Sequence, residues 1–288
     1  MASVVLVYLN VDKISDFIVN FMLENKKVII KDSNEYELSY DYLFFSNDED
    51  FIPYSYDDLL NIYYNVLNRG YKEFTFYCPK EYESCTEDIE KIADDEELMS
   101  NINGYVHPYN SFERLELYLS SLNEVTVQVI YKYSQEKIDA INSKIVEIIG
   151  TLDLTGKSDK DKISIIHNYI VSNSEYDKNK ADGLFSPYDS SSAYGNLIEG
   201  FGVCSGYSDA MSIFLNYLNI PNIRVNSTNH VWNLVYLDGQ WLHLDLTWDD
   251  VENKKYSNNY FLIPTDKLEK LDQTEHNFDR EFFKEANY

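Results

Sequence analysis

The chain is poor in the residues that break or staple a polypeptide: 10 Gly, 6 Pro and 3 Cys in 288 residues. So small a supply excludes collagen-like, Pro/Gly-rich disordered and disulfide-framework architectures. Positive charge is scarce too. Lys and Arg number 24 against 49 Asp and Glu, a net charge of −25. Such a surface repels phosphate backbones and anionic headgroups, so neither nucleic acid nor a membrane surface is an expected partner. No apolar run approaches the roughly 18 residues of a membrane span. The stretch Val4–Leu9 is short, has no Lys or Arg before it and lacks a small-residue cleavage site, so it does not read as a signal peptide. Repeats, low-complexity tracts and Pro/Gly-rich linkers are missing as well. The compartment stays open: extracellular or cell-surface if an export leader was removed, otherwise cytoplasmic. Oligomeric state is equally open.

What the chain has in plenty is rings. With 26 Tyr and 15 Phe it can bury enough surface to fold, and its length suits one large domain or two modest ones. Residues 4–9 read as a buried strand, 13–25 as an amphipathic helix, and 27–31 and 36–45 as strands, the last alternating and rich in Tyr and Phe. Leu59, Ile62, Tyr63, Val66 and Leu67 recur at helical spacing before a stop at Gly70. Lys72 to Cys78 is β-like, and 86–100 reads as one acidic surface helix. The alternation across 113–133 predicts a hairpin around residues 120–123. Ser134 then caps a helix bearing Ile138, Ile141, Ile145 and Ile148, and another helix carries Ile163, Ile166 and Ile170. These patterns place an α+β module over 1–133 and a second domain over 134–288.

Cysteine usage frames the chemistry. Cys78 and Cys85 lie seven apart, and Cys204 stands alone. A local disulfide beside one free thiol suits an exported enzyme, and reduced bystanders in a cytosolic protein suit the spacing equally. Cys204 follows Gly200-Phe201-Gly202-Val203 and precedes Met211, Phe214, Leu215 and Leu218 at helical spacing. The thiol therefore sits at a helix N-terminus, where backbone N–H groups and the dipole favour a thiolate. That alone is too little. A mostly ionised thiol at pH 7 needs a shift of two units or more, roughly 3 kcal/mol, whereas a helix terminus typically supplies about 0.3–1 kcal/mol. A second positive partner is required, and histidine can also return the proton to a leaving group.

Of five histidines, His230 and His243 lie in the β-rich part. His107 lies in a turn, His167 on an apolar helix face and His276 in a polar C-terminal stretch. The alternating run from His230 to Tyr236 meets an Asp238-Gly239 hairpin turn, and Gln240 to Asp245 returns antiparallel. Across a two-residue turn Leu237 pairs with Gln240. His230, Trp232 and Leu234 then share a face with Thr247, Asp245 and His243. This puts the Asp245 carboxylate within diagonal reach of His230, which is preferred as the base. Each residue alone has a bland reading in packing or at the surface; the joint placement is what points to a thiol catalyst.

These segments resemble the transglutaminase-like superfamily, closest to its bacterial members. The likeness rests on Val203-Cys204-Ser205-Gly206-Tyr207, then His230-Val231-Trp232-Asn233, then Trp241 through Asp250, with an approach segment at Asn168-Tyr169-Ile170, Tyr176-Asp177 and Ser192-Ala193-Tyr194-Gly195. It covers about 160–263. The resemblance implies a papain-like α+β core, a helix bearing the Cys packed on an antiparallel sheet, with Cys204 as nucleophile, His230 as base and Asp245 as orienter. It implies a thiol-dependent acyl-transfer enzyme acting on peptide or side-chain amides, read first as a cysteine protease or amidase. A protein-glutamine transglutaminase and an inactive binding or cell-wall-associated relative are the alternatives. The oxyanion donors expected beside the Cys204 N–H are Tyr194 and Asn196, because the papain-type Gln six positions before the Cys is Ile198 here. Trp232, Trp248 and Tyr207 are candidates for a substrate groove, with core packing as the bland reading of the tryptophans. No cofactor is expected. Cys204, His230 and His243 lack paired metal-binding spacing, and the acidic runs at 48–50 and 94–97 lack the alternating spacing of a calcium loop. The expected partner is a protein or peptide substrate, basic or lysine-bearing.

Overall fold

Alternating apolar residues build the first sheet. The computed structural model describes residues 3–9, 29–31, 33–47, 51–120, 123–251 and 255–288, and the chain divides into two compact units, Met1–Lys132 and Tyr133–Tyr288. In the first unit, β1 (Ser3–Leu9), β2 (Ile29–Lys31), β3 (Glu73–Tyr77), β4 (Phe112–Ser120) and β5 (Glu124–Tyr131) form one sheet in the order β1-β4-β5-β3-β2. β1 runs parallel to β4 and the other neighbours are antiparallel. Phe74, Phe76, Leu115, Leu117, Val125 and Val127 are buried from this sheet. Helix α1 (Tyr56–Asn68) is capped by Ser55, whose side chain accepts from the Asp58 N–H. It buries the predicted Leu59, Ile62, Tyr63, Val66 and Leu67 face. Cys78 and Cys85 form a buried disulfide.

Two expectations for this unit need correction. Residues 36–45 form no strand. Their backbone is held by amide side chains instead: the Leu38 N–H donates to Asn68 Oδ1 at 3.0 Å and Asn68 Nδ2 donates to the Leu38 carbonyl at 2.9 Å. The alternating rings pack without a ladder, Phe45 stacking on Tyr64 at 4.6 Å and meeting Tyr105 edge-on at 5.0 Å. The segment read as one acidic helix over 86–100 is two, α2 (Cys85–Asp94) and α3 (Glu96–Gly104). Asp95 leaves the helical region and caps α3 by accepting from the Leu98 N–H at 2.9 Å, the local competition with the backbone that makes Asp a helix starter. Neither is purely a surface helix, since Ile89, Ile92, Met99 and Ile102 are buried. The predicted helix over 13–25 lies outside the described residues.

The second unit is an α+β core. Ser134 and Ser158 cap α4 (Gln135–Thr151) and α5 (Asp159–Asn173). A short strand β6 (Glu175–Tyr176) and a four-residue helix α6 (Lys178–Ala181) follow, and a π-helical segment, Gly195–Glu199, ends at Gly200 in the left-handed region. β7 (Phe201–Gly202) pairs in parallel with β6, setting Tyr176 opposite Gly202. Helix α7 (Cys204–Tyr217) packs on an antiparallel sheet of β8 (Asn222–Asn226), β9 (Val231–Leu237) and β10 (Gln240–Leu244). Met211, Phe214 and Leu215 of the helix are buried, as are Ile223, Val225, Leu234 and Val235 of the sheet. Polar groups fix the helix on the sheet: Arg224 pairs with Asp209, the Tyr133 hydroxyl donates to Asp209 at 2.7 Å, and Asn233 Nδ2 donates to the Ser208 carbonyl at 3.0 Å. No described helix is long and apolar enough to cross a membrane.

Candidate active site

Cys204 opens α7, and the turn before it is built for close approach. A Cβ on Gly206 would lie 2.4 Å from the Ser190 carbonyl oxygen, and one on Gly202 would meet the Tyr207 ring at 3.0 Å. These glycines let the approach segment lie against the first turn of the helix. Val203, the N-cap, is extended and offers no side-chain cap, so the first N–H groups of the helix are not taken up by one of its own side chains. Cys204 is partly exposed and has no disulfide partner.

The Asp238-Gly239 turn sets the second half. Gln240 pairs with Leu237, Trp241 with Tyr236 and His243 with Leu234, which is the register expected from the turn. His230 stands just before β9, and Asp245 just after β10 as N-cap of a four-residue helix α8 (Leu246–Asp249). The two meet at 2.6 Å, His230 Nε2 to Asp245 Oδ2. The other oxygen, Oδ1, accepts from the Thr247 and Trp248 N–H groups at 2.8 and 3.2 Å. With Nε2 engaged, the remaining ring nitrogen of His230 is the one left to interact with Cys204, which helps keep the imidazole charged. Cys204 and His230 face a cleft of about 990 Å³, which Tyr176, Trp248, Asp250 and Glu275 also line.

Residues 147–246 match the family model of the transglutaminase-like superfamily. The second unit carries a transglutaminase-like core. Two solved structures are similar to the chain. One, described as a TGase, is 18% identical with a TM-score of 0.38, over 58% of this chain and 51% of that one. The other, provisionally described as a cysteine protease from Cytophaga hutchinsonii, is 15% identical with a TM-score of 0.31, over 50% of this chain and 55% of that one. The chain therefore spans about half the length of each. No curated protein matches the sequence.

Electrostatics in this transglutaminase-like core favour a charged pair. Burial disfavours an imidazolium at His230, but the Asp245 charge and hydrogen bond, together with Cys204, outweigh it and push His230 up to about 10. Burial likewise disfavours ionised Asp245. Its hydrogen bonds and the charges on His230 and His276 outweigh that and hold it well below the usual carboxylate range. A cationic imidazole beside a thiol favours the thiolate. His243, further along the same face, is of the opposite kind: burial, then the charges of His276 and Arg280, push it down to about 3. It accepts from Trp232 Nε1 at 2.9 Å and sits 3.1 Å from the Thr265 hydroxyl, a packed neutral ring.

Several expected positions differ. Trp232 and Tyr207 are buried and do not line the cleft. Trp232 lies behind His230, ring centroids 5.6 Å apart, and Tyr207 donates its hydroxyl to Asp250 from within the wall at 2.5 Å. Only Trp248 of the three faces the cleft. Tyr194 lies beneath the Lys137 ammonium at 5.8 Å, and Asn196 is buried with neither amide atom hydrogen-bonded. Neither is among the residues that line the cleft. Tyr176 takes that place instead. Burial raises its phenol and the Cys204 charge raises it further, so the hydroxyl stays a neutral donor within the electrostatic reach of the thiol. The pairing of β6 with β7 brings it there. Sequence inspection marks Tyr176-Asp177 as part of the approach segment but holds no signal for that long-range strand contact.

His276 was the residue least expected at the site. Its Nε2 lies 2.9 Å from Asp245 Oδ2 and its Nδ1 2.9 Å from Asp272 Oδ2. His230, Asp245 and His276 together present three ligand atoms within 4.8 Å, a set that could hold a metal ion. The individual distances argue for protons as the link. Ligands around a tetrahedral ion at 2.0–2.1 Å stand about 3.3 Å apart, whereas the Asp245 oxygen is 2.6 and 2.9 Å from the two rings.

Proposed function

We propose that the second unit is a thiol-dependent acyl-transfer enzyme acting on peptide or side-chain amides, with Cys204 as nucleophile, His230 as acid–base and Asp245 as the orienting carboxylate. The observation that carries this reading is the short His230–Asp245 bond beside a free thiol at a helix start, on the wall of a large cleft. The Cys204 sulfur attacks the amide carbonyl carbon, and the carbonyl electron pair moves to oxygen. As the C–N bond breaks, imidazolium at His230 gives its proton to the departing nitrogen, leaving a thioester. Water then adds, its proton passes to His230, and the C–S bond breaks to release a carboxylic acid and the thiolate. The oxyanion formed twice on this path would be met by the Cys204 N–H and, in this proposal, by the Tyr176 hydroxyl.

A second reading replaces water by a primary amine, giving cross-linking. One feature favours it: among the charged residues lining the cleft, Glu175, Asp250 and Glu275 outnumber Lys178 and the His230 imidazolium, a lining suited to a cationic acceptor such as a lysine side chain. Mass spectrometry separates the two. A glutamine- and amide-containing peptide library is incubated with the protein, with and without a dansylated primary amine. Shortened or deamidated peptides with little amine incorporation support hydrolysis, and incorporation faster than hydrolysis supports cross-linking. No covalent thioester on Cys204 with any substrate would overturn the enzyme reading and favour a binding role. Tyr176→Phe should lower the acylation rate by about 10²-fold if the hydroxyl serves the oxyanion, and an unchanged rate removes it from that role.

A further inference from the structure

Asp245 accepts two imidazoles on a single oxygen, and a triad requires only one. His276 is brought to it from 31 residues downstream and is almost wholly buried. Its other nitrogen reaches Asp272 Oδ2, so both ring nitrogens stand 2.9 Å from carboxylate oxygens. An ionised carboxylate offers only acceptors. A neutral ring would leave one of its nitrogens as a lone pair facing an oxygen lone pair, so the geometry demands hydrogens on both nitrogens. Asp272 is itself firmly ionised: burial works against its charge, but hydrogen bonds from Thr274 and His276 outweigh it. The ring is also gripped sterically. Tyr260 stacks on it at 5.1 Å, and Trp232 and Trp248 meet it edge-on at 4.8 and 5.0 Å.

We propose that His276 is a positioning residue of the thiol site, an imidazolium clamped between Asp245 and Asp272 that keeps Asp245 ionised and turned toward His230. The inference rests on the proposed Cys204–His230 pair for its consequence in catalysis but not for the protonation it assigns. The chain of contacts is Asp272–His276–Asp245–His230–Cys204, alternating anion and cation. Other charged or titratable groups face the ring: His230 lies edge-on at 5.2 Å, His243 feels the His276 charge, and Glu269 and Arg280 share with Asp272 and His276 a cavity of about 320 Å³. Glu275 precedes it in the chain. Arg280 is engaged by Glu269 at 2.8 Å, so the two partly cancel at the ring.

Two measurements on the full chain test the assignment. The first is nitrogen-15 NMR of ring-labelled histidine, with the His276 signals identified by their loss in His276→Gln. Both ring nitrogens of His276 should carry hydrogen at pH 7. In Asp272→Asn, at a side chain that is largely buried, the ring should lose one hydrogen at a lower pH than in the parent. A neutral His276 ring at pH 7 in the parent protein overturns the proposal whatever the enzyme does. The second is the pH profile of Cys204 alkylation by iodoacetamide, which needs no substrate. Removing a cation makes every neighbouring proton harder to lose, so His276→Gln should move both limbs of the profile upward by roughly one unit. A slower but unshifted profile would mean that the ring only fills space, and overturns the electrostatic role. If wild type lacks an activated thiol altogether, the Cys204–His230 reading fails while the NMR result still decides the state of His276.

Discussion

The two units bury polar groups in different proportions. In Met1–Lys132 they are chiefly amides and hydroxyls: Asn65, Asn68, Asn101, Asn110, Thr75 and Ser111, beside the phenols of Tyr63 and Tyr64. In Tyr133–Tyr288 a comparable set of buried amides and hydroxyls is joined by many ionisable groups: His167, Asp177, Asp209, Arg224, His230, His243, Asp245, Asp249, His276 and Glu285. Neutral amides hold loops at small cost, as Asn68 holds Leu38 and Asn110 Nδ2 holds the Asn68 carbonyl at 2.8 Å. Buried charges cost several kcal/mol each unless paired, and stability alone seldom requires them. The contrast teaches that the second unit gathers desolvated ionisable groups into pairs and a chain: Arg224 of β8 with Asp209 of α7, His167 with Asp249 at 3.3 Å, and the chain that ends at a thiol. The last of these lines a cleft.

The largest effect that would sharpen this contrast is on chemistry. His230→Ala should lower the alkylation rate of Cys204 at pH 6.5 by about 10²-fold or more and remove any plateau below pH 8. A profile identical to wild type would break the distinction between a charged chain built for reactivity and one built for packing. Next in size is Arg224→Ala. It leaves the buried Asp209 carboxylate without the Arg224 cation, though still hydrogen-bonded by the Tyr133 hydroxyl, an expected loss of about 3–5 kcal/mol in the denaturant transition of the second unit. The double change Arg224→Met with Asp209→Leu should recover most of it, and a single change costing under about 1 kcal/mol would show the pair to be dispensable.

A smaller effect belongs to the first unit. Reducing Cys78–Cys85 opens an eight-residue loop, worth about 2.5 kcal/mol by the chain-entropy relation, and should lower that unit's transition while leaving Cys204 reactivity unchanged. Smallest per step is the pH dependence, at most about 1.4 kcal/mol per unit for each shifted group. His230 is raised to about 10, so its contribution is complete below its unfolded value near 6.5 and is lost as pH rises toward 10. His243 is lowered to about 3, so the unfolded chain takes up its proton first and stability falls as pH drops below about 6.5. Asp245 and Asp272, held low, add to the loss as pH falls further through the carboxylate range. The second unit should therefore be most stable near pH 6.5. In the first unit the shifted groups are chiefly tyrosines such as Tyr63, pushed up by burial, whose effect begins only above about pH 10. Thermal melts across pH 4–9 that move both units equally would erase the contrast.

Much of this was legible because it is local. An Asp-Gly turn dictates that Leu237 faces Gln240, and alternation then carries His230 and Asp245 to one face, where they meet directly with Trp232 stacked behind His230. Ser134 announces a helix start that the structure contains, and Ser158 proves to cap the helix that follows. The misreadings share one cause. Residues 36–45 alternate like a strand, but Asn68 supplies the hydrogen bonds that a neighbouring strand would have made. Tyr194 and Asn196 stand close to Cys204 in sequence and still do not line the cleft, whereas Tyr176 arrives by strand pairing.

By itself, then, the sequence determined the helix that begins at Cys204, the hairpin register and the −25 net charge, since each depends on neighbours a few residues away or on composition. Tertiary structure alone decided which side chains line the cleft and that His276 shares Asp245 with His230. Those contacts join residues 26 and 31 positions apart, across turns whose closure is set by packing in the whole unit.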